Sequence, residues 1–127
     1  MTDPISDILI RIKNALSSDH QAVIIPFSKI KMQITEILKK EGYISDCSLK
    51  EHNKRKFIKI MLRYINQKPA ISGLKRISKP GRRIYVNKNY SLLRLGGIGI
   101  ISTSLGIKTH KDAKKEGMGG EILCEIW

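Results

Sequence analysis

The chain has 127 residues, 41% of them hydrophobic, and a net charge of +13 at neutral pH. This length accommodates one domain or two small lobes, and no apolar run approaches the roughly 18 residues that a membrane-spanning helix requires. So high a positive charge in a small, ordered chain favours a polyanionic partner, nucleic acid before a membrane surface. We therefore expect no membrane partner.

The N-terminus and the cysteines exclude further classes. The first residues lack the features of a signal peptide and of a transit peptide, so the protein is expected to act in the compartment where it is made. Cys47 and Cys124 lie far apart, and neither has a partner at metal-ligand spacing, which predicts two free thiols in a reducing compartment. The three histidines are scattered. The sequence therefore predicts neither a metal nor a cofactor.

The first half of the chain predicts the order α-β-α-β-β. Asp3 and Pro4 begin the first helix as a capping residue and a proline at the first helical position. Ser28 caps the second helix, where Lys29 and Lys31 occupy a first turn that disfavours cations, so an anionic group is expected nearby. The predicted elements are a helix from Pro4, a strand over Ala22–Pro26, a helix over 29–41, and strands over 43–49 and 57–64 around a polar loop at 51–55.

A linker predicted at residues 65–69 divides the chain into two lobes of an α/β fold of the α+β type. Residues 1–66 form an N-terminal α/β lobe, and residues 67–127 form a C-terminal lobe that is mostly β with short helices. The second lobe carries 12 basic and 4 acidic residues, a net charge of +8, against +5 for the first. The C-terminal lobe is therefore the predicted nucleic-acid-binding part.

The segment 75–88, hereafter the basic ribbon, contains six basic residues and no acidic residue. Two strand-like pieces flank a turn at Lys79-Pro80-Gly81, and hydrophobic residues between the cations anchor them on a sheet. An anchored ribbon loses less entropy on binding phosphates than a flexible tail does. The ribbon residues expected to contact a polyanion are Lys79, Arg82, Arg83 and Tyr85.

The remaining elements present three consecutive hydroxyls, Ser102, Thr103 and Ser104, hereafter the hydroxyl tip. Hydroxyls donate and accept hydrogen bonds, so a rigid tip of this kind can contact phosphates, riboses or base edges, although taken alone such a tip is more often a plain turn. The predicted elements around it are a helix over 89–95, a strand over 98–101, a turn that ends at Gly106, a helix cap by Thr109 with Asp112, and a terminal strand over 119–127. In the terminal strand, Ile122, Cys124 and Ile126 are predicted to share a face.

Patterns that resemble catalytic motifs are incomplete. The segment 102–106 follows a strand, as a nucleophile elbow does, but a helix must follow it directly and a histidine must come from a later strand; His110 is too close in sequence. Gly97 and Gly99 precede a strand instead of following one, unlike a dinucleotide-binding loop. We therefore predict no enzyme and no small-molecule substrate.

Nucleic-acid binding is the remaining function class, and the sequence excludes several of its known modes. The sequence has no zinc-finger spacing, no basic zipper and no recognisable helix-turn-helix. Aromatic residues make up only 6%, so base stacking on single strands is not the main mode. Folded RNA, contacted at phosphates, 2′-hydroxyls and the minor groove, is the predicted ligand.

Five motifs lie in order along nearly the whole chain, at 1–15, 38–44, 73–86, 99–104 and 119–127. Through these motifs the chain resembles the family of bacterial-type small ribosomal subunit protein eight. The resemblance implies a two-lobed protein that binds the central domain of small-subunit rRNA early in assembly, in a cytoplasmic ribosome or in that of an organelle encoding its own copy. It also implies neighbouring small-subunit proteins as partners and, in some relatives, repression of their own operon mRNA.

The resemblance also assigns RNA-contacting positions. The hydroxyl tip lies at the centre of the family's RNA contact, in the C-terminal lobe. The positions beside it are Gly120, Glu121 and Cys124, and the matching N-terminal positions are Thr2, Asp3, Pro4, Lys29 and Lys31.

This sequence departs from the family pattern at three places. Leu105 follows the hydroxyl tip where Lys or Arg is usual, and Glu125 follows Cys124 where Tyr is usual. Each departure removes a possible phosphate or stacking contact, and we expect Glu125 to point away from RNA. His110 stands where Asp is common, which predicts a weaker helix cap at Thr109.

Overall fold

A computed structural model of the chain describes residues 3–92 and 96–127. The chain divides into two compact units, Met1–Ser72 and Gly73–Trp127, hereafter the N-terminal and C-terminal lobes. Both mix helices with strands, which confirms the predicted α+β fold class. Among the described residues, no helix is long and apolar enough to cross a membrane.

The elements of the N-terminal lobe are α1 (Pro4–Ser17), β1 (Ala22–Pro26), α2 (Lys29–Lys40), β2 (Ile44–His52), β3 (Arg55–Leu62), β4 (Tyr64–Ile65) and β5 (Lys68–Pro69). The two helices pack on a three-stranded antiparallel sheet of order β1-β3-β2. Helix α1 contacts β1 and helix α2 contacts β2, and fully buried isoleucines such as Ile8, Ile34 and Ile58 fill the core between them.

Both helices begin where their capping residues predict. The Asp3 carboxylate accepts a hydrogen bond from the Ser6 backbone N–H at 3.2 Å, and the Ser28 hydroxyl accepts one from Lys31 N–H at 3.2 Å. After α2 the chain leaves through Gly42, whose φ is +82°, a value that glycine adopts without steric cost. Residues next to each helix start, and Gly42 after the second helix, therefore determine where these helices begin and end.

Two turns are tighter than the sequence suggested. The polar loop between β2 and β3 consists only of Asn53 and Lys54, at φ values of 51° and 65°. β2 is therefore longer than predicted, and β3 begins and ends two residues earlier than predicted. The predicted linker at 65–69 is wrong, because β4 and β5 pair as a hairpin around Asn66 and Gln67, at φ values of 51° and 68°. Asparagine tolerates this left-handed region better than most residues. Lys54 and Gln67, the residues after the two asparagines, adopt the same left-handed conformation.

The elements of the C-terminal lobe are β6 (Leu74–Arg76), β7 (Tyr85–Val86), β8 (Ile98–Thr103), β9 (Gly106–Thr109), α3 (His110–Lys115) and β10 (Gly120–Ile126). Its sheet is built around β10, which pairs with β8 on one side and with both β6 and β7 on the other, while β9 pairs with β8. The cap of α3 is confirmed, since Thr109 Oγ1 accepts a hydrogen bond from Asp112 N–H at 3.2 Å.

The helix predicted over 89–95 is absent from its described part, residues 89–92, and the rest lies outside the described residues. Asn87 Oδ1 instead accepts a hydrogen bond from Asn89 N–H at 2.9 Å, and Tyr90 N–H donates to the Asn87 carbonyl at 3.2 Å. An asparagine side chain that bonds two residues ahead stabilises a turn in competition with a helix.

A β-bulge at Leu123 changes which residues of β10 share a face. Ile122 pairs with Ile101 of β8, whereas Cys124 pairs with the adjacent Ile100. Because adjacent residues of β8 point to opposite faces, Ile122 and Cys124 also lie on opposite faces. The predicted shared face is therefore wrong, since alternation fails at the one extra residue of a bulge.

Candidate nucleic-acid interface

Three predicted site residues form a row across three strands of the C-terminal sheet. Glu121 of β10 pairs with Ser102 of β8 on one side and with Tyr85 of β7 on the other. Directly paired residues of neighbouring strands lie on one face, and their strands are roughly 4.8 Å apart. Tyr85 is 70% exposed. Ser102 of the hydroxyl tip and Tyr85 of the basic ribbon therefore lie on one face, with β10 between them.

The neighbouring Gly119 and Gly120 permit this close approach. A Cβ at Gly120 would lie 2.1 Å from the Ser102 carbonyl oxygen, and one at Gly119 would lie 2.3 Å from the Val86 carbonyl oxygen. Both contacts are far inside van der Waals range and both are with backbone. Gly120 therefore has a structural role in holding β10 against the strand that carries the tip.

The hydroxyl tip belongs to a two-residue hairpin between β8 and β9, with its turn at Ser104 and Leu105. Thr103 Oγ1 donates to the Gly106 carbonyl at 2.8 Å and accepts from Leu105 N–H at 3.2 Å. The Thr103 hydroxyl is thus used within the turn. Within the described residues, the Ser102 and Ser104 hydroxyls have no hydrogen-bond partner, and Ser104 is exposed. Those two hydroxyls are available to a ligand.

A charged pair links the basic ribbon to the row. Arg83 Nη1 donates to both carboxylate oxygens of Glu121, at 3.2 and 3.3 Å. The Arg83 side chain is 57% exposed, whereas that of Glu121 is only 13% exposed. Glu121 therefore fixes the guanidinium at the surface while its own carboxylate is largely covered.

A buried serine, Ser78, joins the two halves of the basic ribbon through hydrogen bonds. The Ser78 hydroxyl accepts from Ile84 N–H at 2.9 Å and donates to the Ile84 carbonyl at 3.2 Å. Beyond it, Lys79 and Arg82 exchange both backbone hydrogen bonds across the turn, at 3.0 and 2.9 Å. The predicted turn at Lys79-Pro80-Gly81 is confirmed, and Ser78 is the residue that holds it.

A cleft of about 310 Å³ opens beside this turn. Its lining contains four cationic side chains and no acidic one, so it concentrates positive potential in a concave site. The residues that line it are Lys75, Arg76, Ile77, Lys79, Arg82 and Ile84. The cleft is suited to a phosphate group.

The Cys124 side chain is not accessible to a ligand, although the resemblance placed it beside the hydroxyl tip. It is 0% exposed, and burial raises the pKa of its thiol to about 12, so it packs as a small hydrophobic residue. The adjacent Glu125 is 2% exposed and accepts a hydrogen bond from the Tyr90 hydroxyl. Burial and this hydrogen bond raise the pKa of Tyr90. Glu125 thus points into the lobe.

In the N-terminal lobe, Lys31 is not a surface cation. Its Nζ donates to Asp7 Oδ2 at 2.6 Å, and the two side chains are 8% and 11% exposed. The anionic group expected near the start of α2 is therefore Asp7, on α1. Burial by itself raises the pKa of Asp7, but hydrogen bonds from Lys31 and Arg11 outweigh it and leave the pKa below the ordinary value of an aspartate.

The other N-terminal positions differ in exposure. Lys29 is exposed, whereas Asp3 and Pro4 are half-buried, and the Asp3 carboxylate is used in the cap and in a 2.7 Å hydrogen bond from the Ser6 hydroxyl. Thr2 lies outside the described residues. Of this group, Lys29 has the most accessible charge, and the role of all of them in RNA binding stays a prediction.

No catalytic arrangement accompanies the hydroxyls. His110 Nδ1 accepts a hydrogen bond from Gly99 N–H at 3.1 Å, and Ser104 makes no hydrogen bond to His110. Over residues 3–92 and 96–127, no group of three His, Cys, Asp or Glu side chains is arranged to hold a metal ion.

Comparison with known proteins settles the family. The family described as ribosomal protein S8 matches residues 3–127. The chain belongs to the ribosomal protein S8 family. It is 52% identical to the small ribosomal subunit protein uS8 of Natranaerobius thermophilus over 100% of this chain and 98% of the relative. Its identity to uS8 of Caldicellulosiruptor bescii is also 52%, over 98% and 97%, and to uS8 of Dictyoglomus thermophilum 48%, over 100% and 98%.

Membership of the S8 family confirms three predictions. The chain is a ribosomal protein, it is not an enzyme, and its location is the cytoplasmic ribosome. Sequence reasoning about this S8 protein missed the roles of Ser78 and Thr103, whose hydroxyls shape the two turns of the candidate interface. The signal available for Thr103 was its position directly before a two-residue turn, where Ser and Thr hydroxyls often bond to the backbone.

Proposed function

We propose that this small-subunit protein binds the central domain of small-subunit rRNA through its C-terminal lobe and helps to assemble the subunit beside neighbouring ribosomal proteins. The observation that carries the proposal is the row of Tyr85, Glu121 and Ser102, because it puts the free Ser102 hydroxyl on one face with the ribbon residue Tyr85. The cations supply attraction through counterion release. The hydroxyls of Ser102 and Ser104 supply selectivity by pairing with ribose and base-edge groups.

Replacing Ser102 and Ser104 with alanine tests the selectivity. Each lost hydrogen bond costs about 1 kcal/mol, so the double variant is expected to bind a central-domain rRNA hairpin about thirtyfold more weakly. Affinities for that hairpin and for a random duplex are measured by filter binding. Thr103 is left in place, because its hydroxyl holds the turn.

Ser48→Ala is the matched control, since Ser48 lies on a strand of the N-terminal lobe and its hydroxyl has no partner among the described residues. It is expected to leave both affinities unchanged. An equal loss on hairpin and random duplex in the double variant would show that the two hydroxyls do not discriminate between RNAs.

Replacing Lys79 and Arg82 with glutamine tests the electrostatic part. Each lost phosphate contact reduces the slope of log K against log salt by about one, so the slope is expected to fall by about two. Lys50→Gln with Arg55→Gln removes the same charge from exposed positions of the N-terminal lobe. If both double variants reduce the slope equally, net charge accounts for the effect and the cleft does not.

Repression of the operon's own mRNA would use the same surface, because a messenger that imitates the rRNA site presents the same groups. We propose it as a secondary activity. Footprinting on the organism's own ribosomal-protein messenger tests it, and protection that persists after alanine replacement of Ser102 and Ser104 would contradict a shared surface.

A further inference from the structure

Leu105 is the most exposed large hydrophobic residue of the described chain, at 71%. It lies in the turn of the hairpin, beside the exposed Ser104. The next most exposed, Tyr85, belongs to the same lobe and to the row described above. A single exposed leucine is unremarkable on most surfaces, but this one lies at the apex of a segment proposed to contact RNA.

The backbone around Leu105 is fixed before any ligand binds. Leu105 N–H donates to Thr103 Oγ1 at 3.2 Å, and the same oxygen donates to the Gly106 carbonyl at 2.8 Å. Gly106 follows at a φ of +121°, which favours glycine. The backbone of so constrained a turn loses little entropy when its side chains bind a ligand.

The chemistry of Leu105 limits what it can contact. It has no charge and no hydrogen-bonding group, so it gains nothing from a phosphate. The minor groove of RNA is wide and shallow and exposes ribose and base edges. Ser104 and Leu105 are the two central residues of the same turn and both are exposed, so a ribose that meets the Ser104 hydroxyl is also close to the leucine side chain.

We propose that Leu105 is a specificity-determining contact that packs against ribose carbons in the minor groove of the bound rRNA, which rests on the proposed function. It supplies a share of the affinity that does not depend on salt. The basic ribbon attracts any duplex, whereas Leu105 contributes only where the groove accepts the apex.

The test compares Leu105→Ala with the wild type on the central-domain hairpin and on a random duplex, across a series of salt concentrations. We expect a loss of about tenfold on the hairpin, an unchanged salt slope, and a change of less than about twofold on the random duplex. Ile65→Ala is the matched control, because Ile65 is also an exposed aliphatic residue at a two-residue turn, and it should change neither affinity. Thermal unfolding of each variant verifies that the fold is intact.

Leu105→Lys provides a second measurement. A cation at the apex should raise affinity for the random duplex and steepen its salt slope by about one, while the discrimination between the two RNAs falls. Wild-type affinity of Leu105→Ala for the hairpin, or an equal loss on both RNAs, would overturn the role of Leu105. If the wild type itself does not prefer the hairpin, the proposed function fails instead, so the two failures are distinguishable.

Discussion

Gly120→Ala is expected to destabilise the C-terminal lobe by about 3 kcal/mol, the upper range for forced overpacking. The added Cβ would lie 2.1 Å from the Ser102 carbonyl oxygen and 2.9 Å from its carbon, and neither backbone atom can move without separating β10 from β8. Urea unfolding monitored by the fluorescence of Trp127, in the same lobe, measures the effect. RNA affinity should fall as well, since the strand carrying Ser102 is displaced.

Gly81→Ala is the matched control. A Cβ at Gly81 meets nothing within 4 Å, and its φ lies outside the left-handed region. Replacement there is expected to be neutral, or stabilising by about 0.5 kcal/mol through the unfolded state. If Gly120→Ala unfolds at the same urea concentration as Gly81→Ala, the close approach of the two strands does not limit stability.

Asp7→Ala is expected to destabilise the N-terminal lobe by about 3 kcal/mol, because it leaves the Lys31 ammonium buried without its carboxylate partner. The pair joins α1 to α2 across a 2.6 Å contact, and both side chains are nearly covered. Denaturant unfolding monitored by far-ultraviolet circular dichroism measures the loss. The double variant Asp7→Ala with Lys31→Met should recover most of the stability, since hydrophobic replacement of a buried pair is often neutral.

The same pair predicts a pH dependence. Against the effect of burial, hydrogen bonds from Lys31 and Arg11 hold the pKa of Asp7 below its ordinary value in the folded protein. Its stabilisation is therefore fully present above the pKa of an unfolded aspartate, about 3.9, and is lost as the pH falls through the folded pKa. The stability advantage of the wild type over Asp7→Ala should therefore shrink below about pH 4. An advantage that is constant between pH 6 and pH 3 would contradict an ionised Asp7 as its source.

Local signals carried most of the fold prediction. Ser28, Gly42 and Thr109 act through their own conformation or through bonds to residues three positions away, so reading the sequence in order located them correctly. Pairings between distant segments were not accessible in the same way. Lys31 was an anomaly in the sequence, and its explanation, Asp7, lies 24 residues earlier.

In the candidate site, too, local features were predictable from the sequence and features that depend on the fold were not. The composition of the basic ribbon and the three hydroxyls were visible in the sequence, but which hydroxyl is free depends on turn geometry. A two-residue turn consumes the Thr103 hydroxyl and exposes Ser104. The bulge at Leu123 had no signal in an otherwise alternating strand, and it moved Cys124 away from the face that the alternation assigned to Ile122.

The place of β10 in the sheet constrains how this chain folds during synthesis. β6, β7 and β8 all pair with β10, the last strand in the sequence, and Gly73 exchanges both backbone hydrogen bonds with Trp127. The C-terminal sheet therefore cannot close until residues 120–127 have left the exit tunnel, whereas the three-stranded sheet of the N-terminal lobe is complete by Leu62. Since domains fold as units in the order of their synthesis, we expect the nascent chain to carry a folded first lobe while its strongly cationic second lobe is still open.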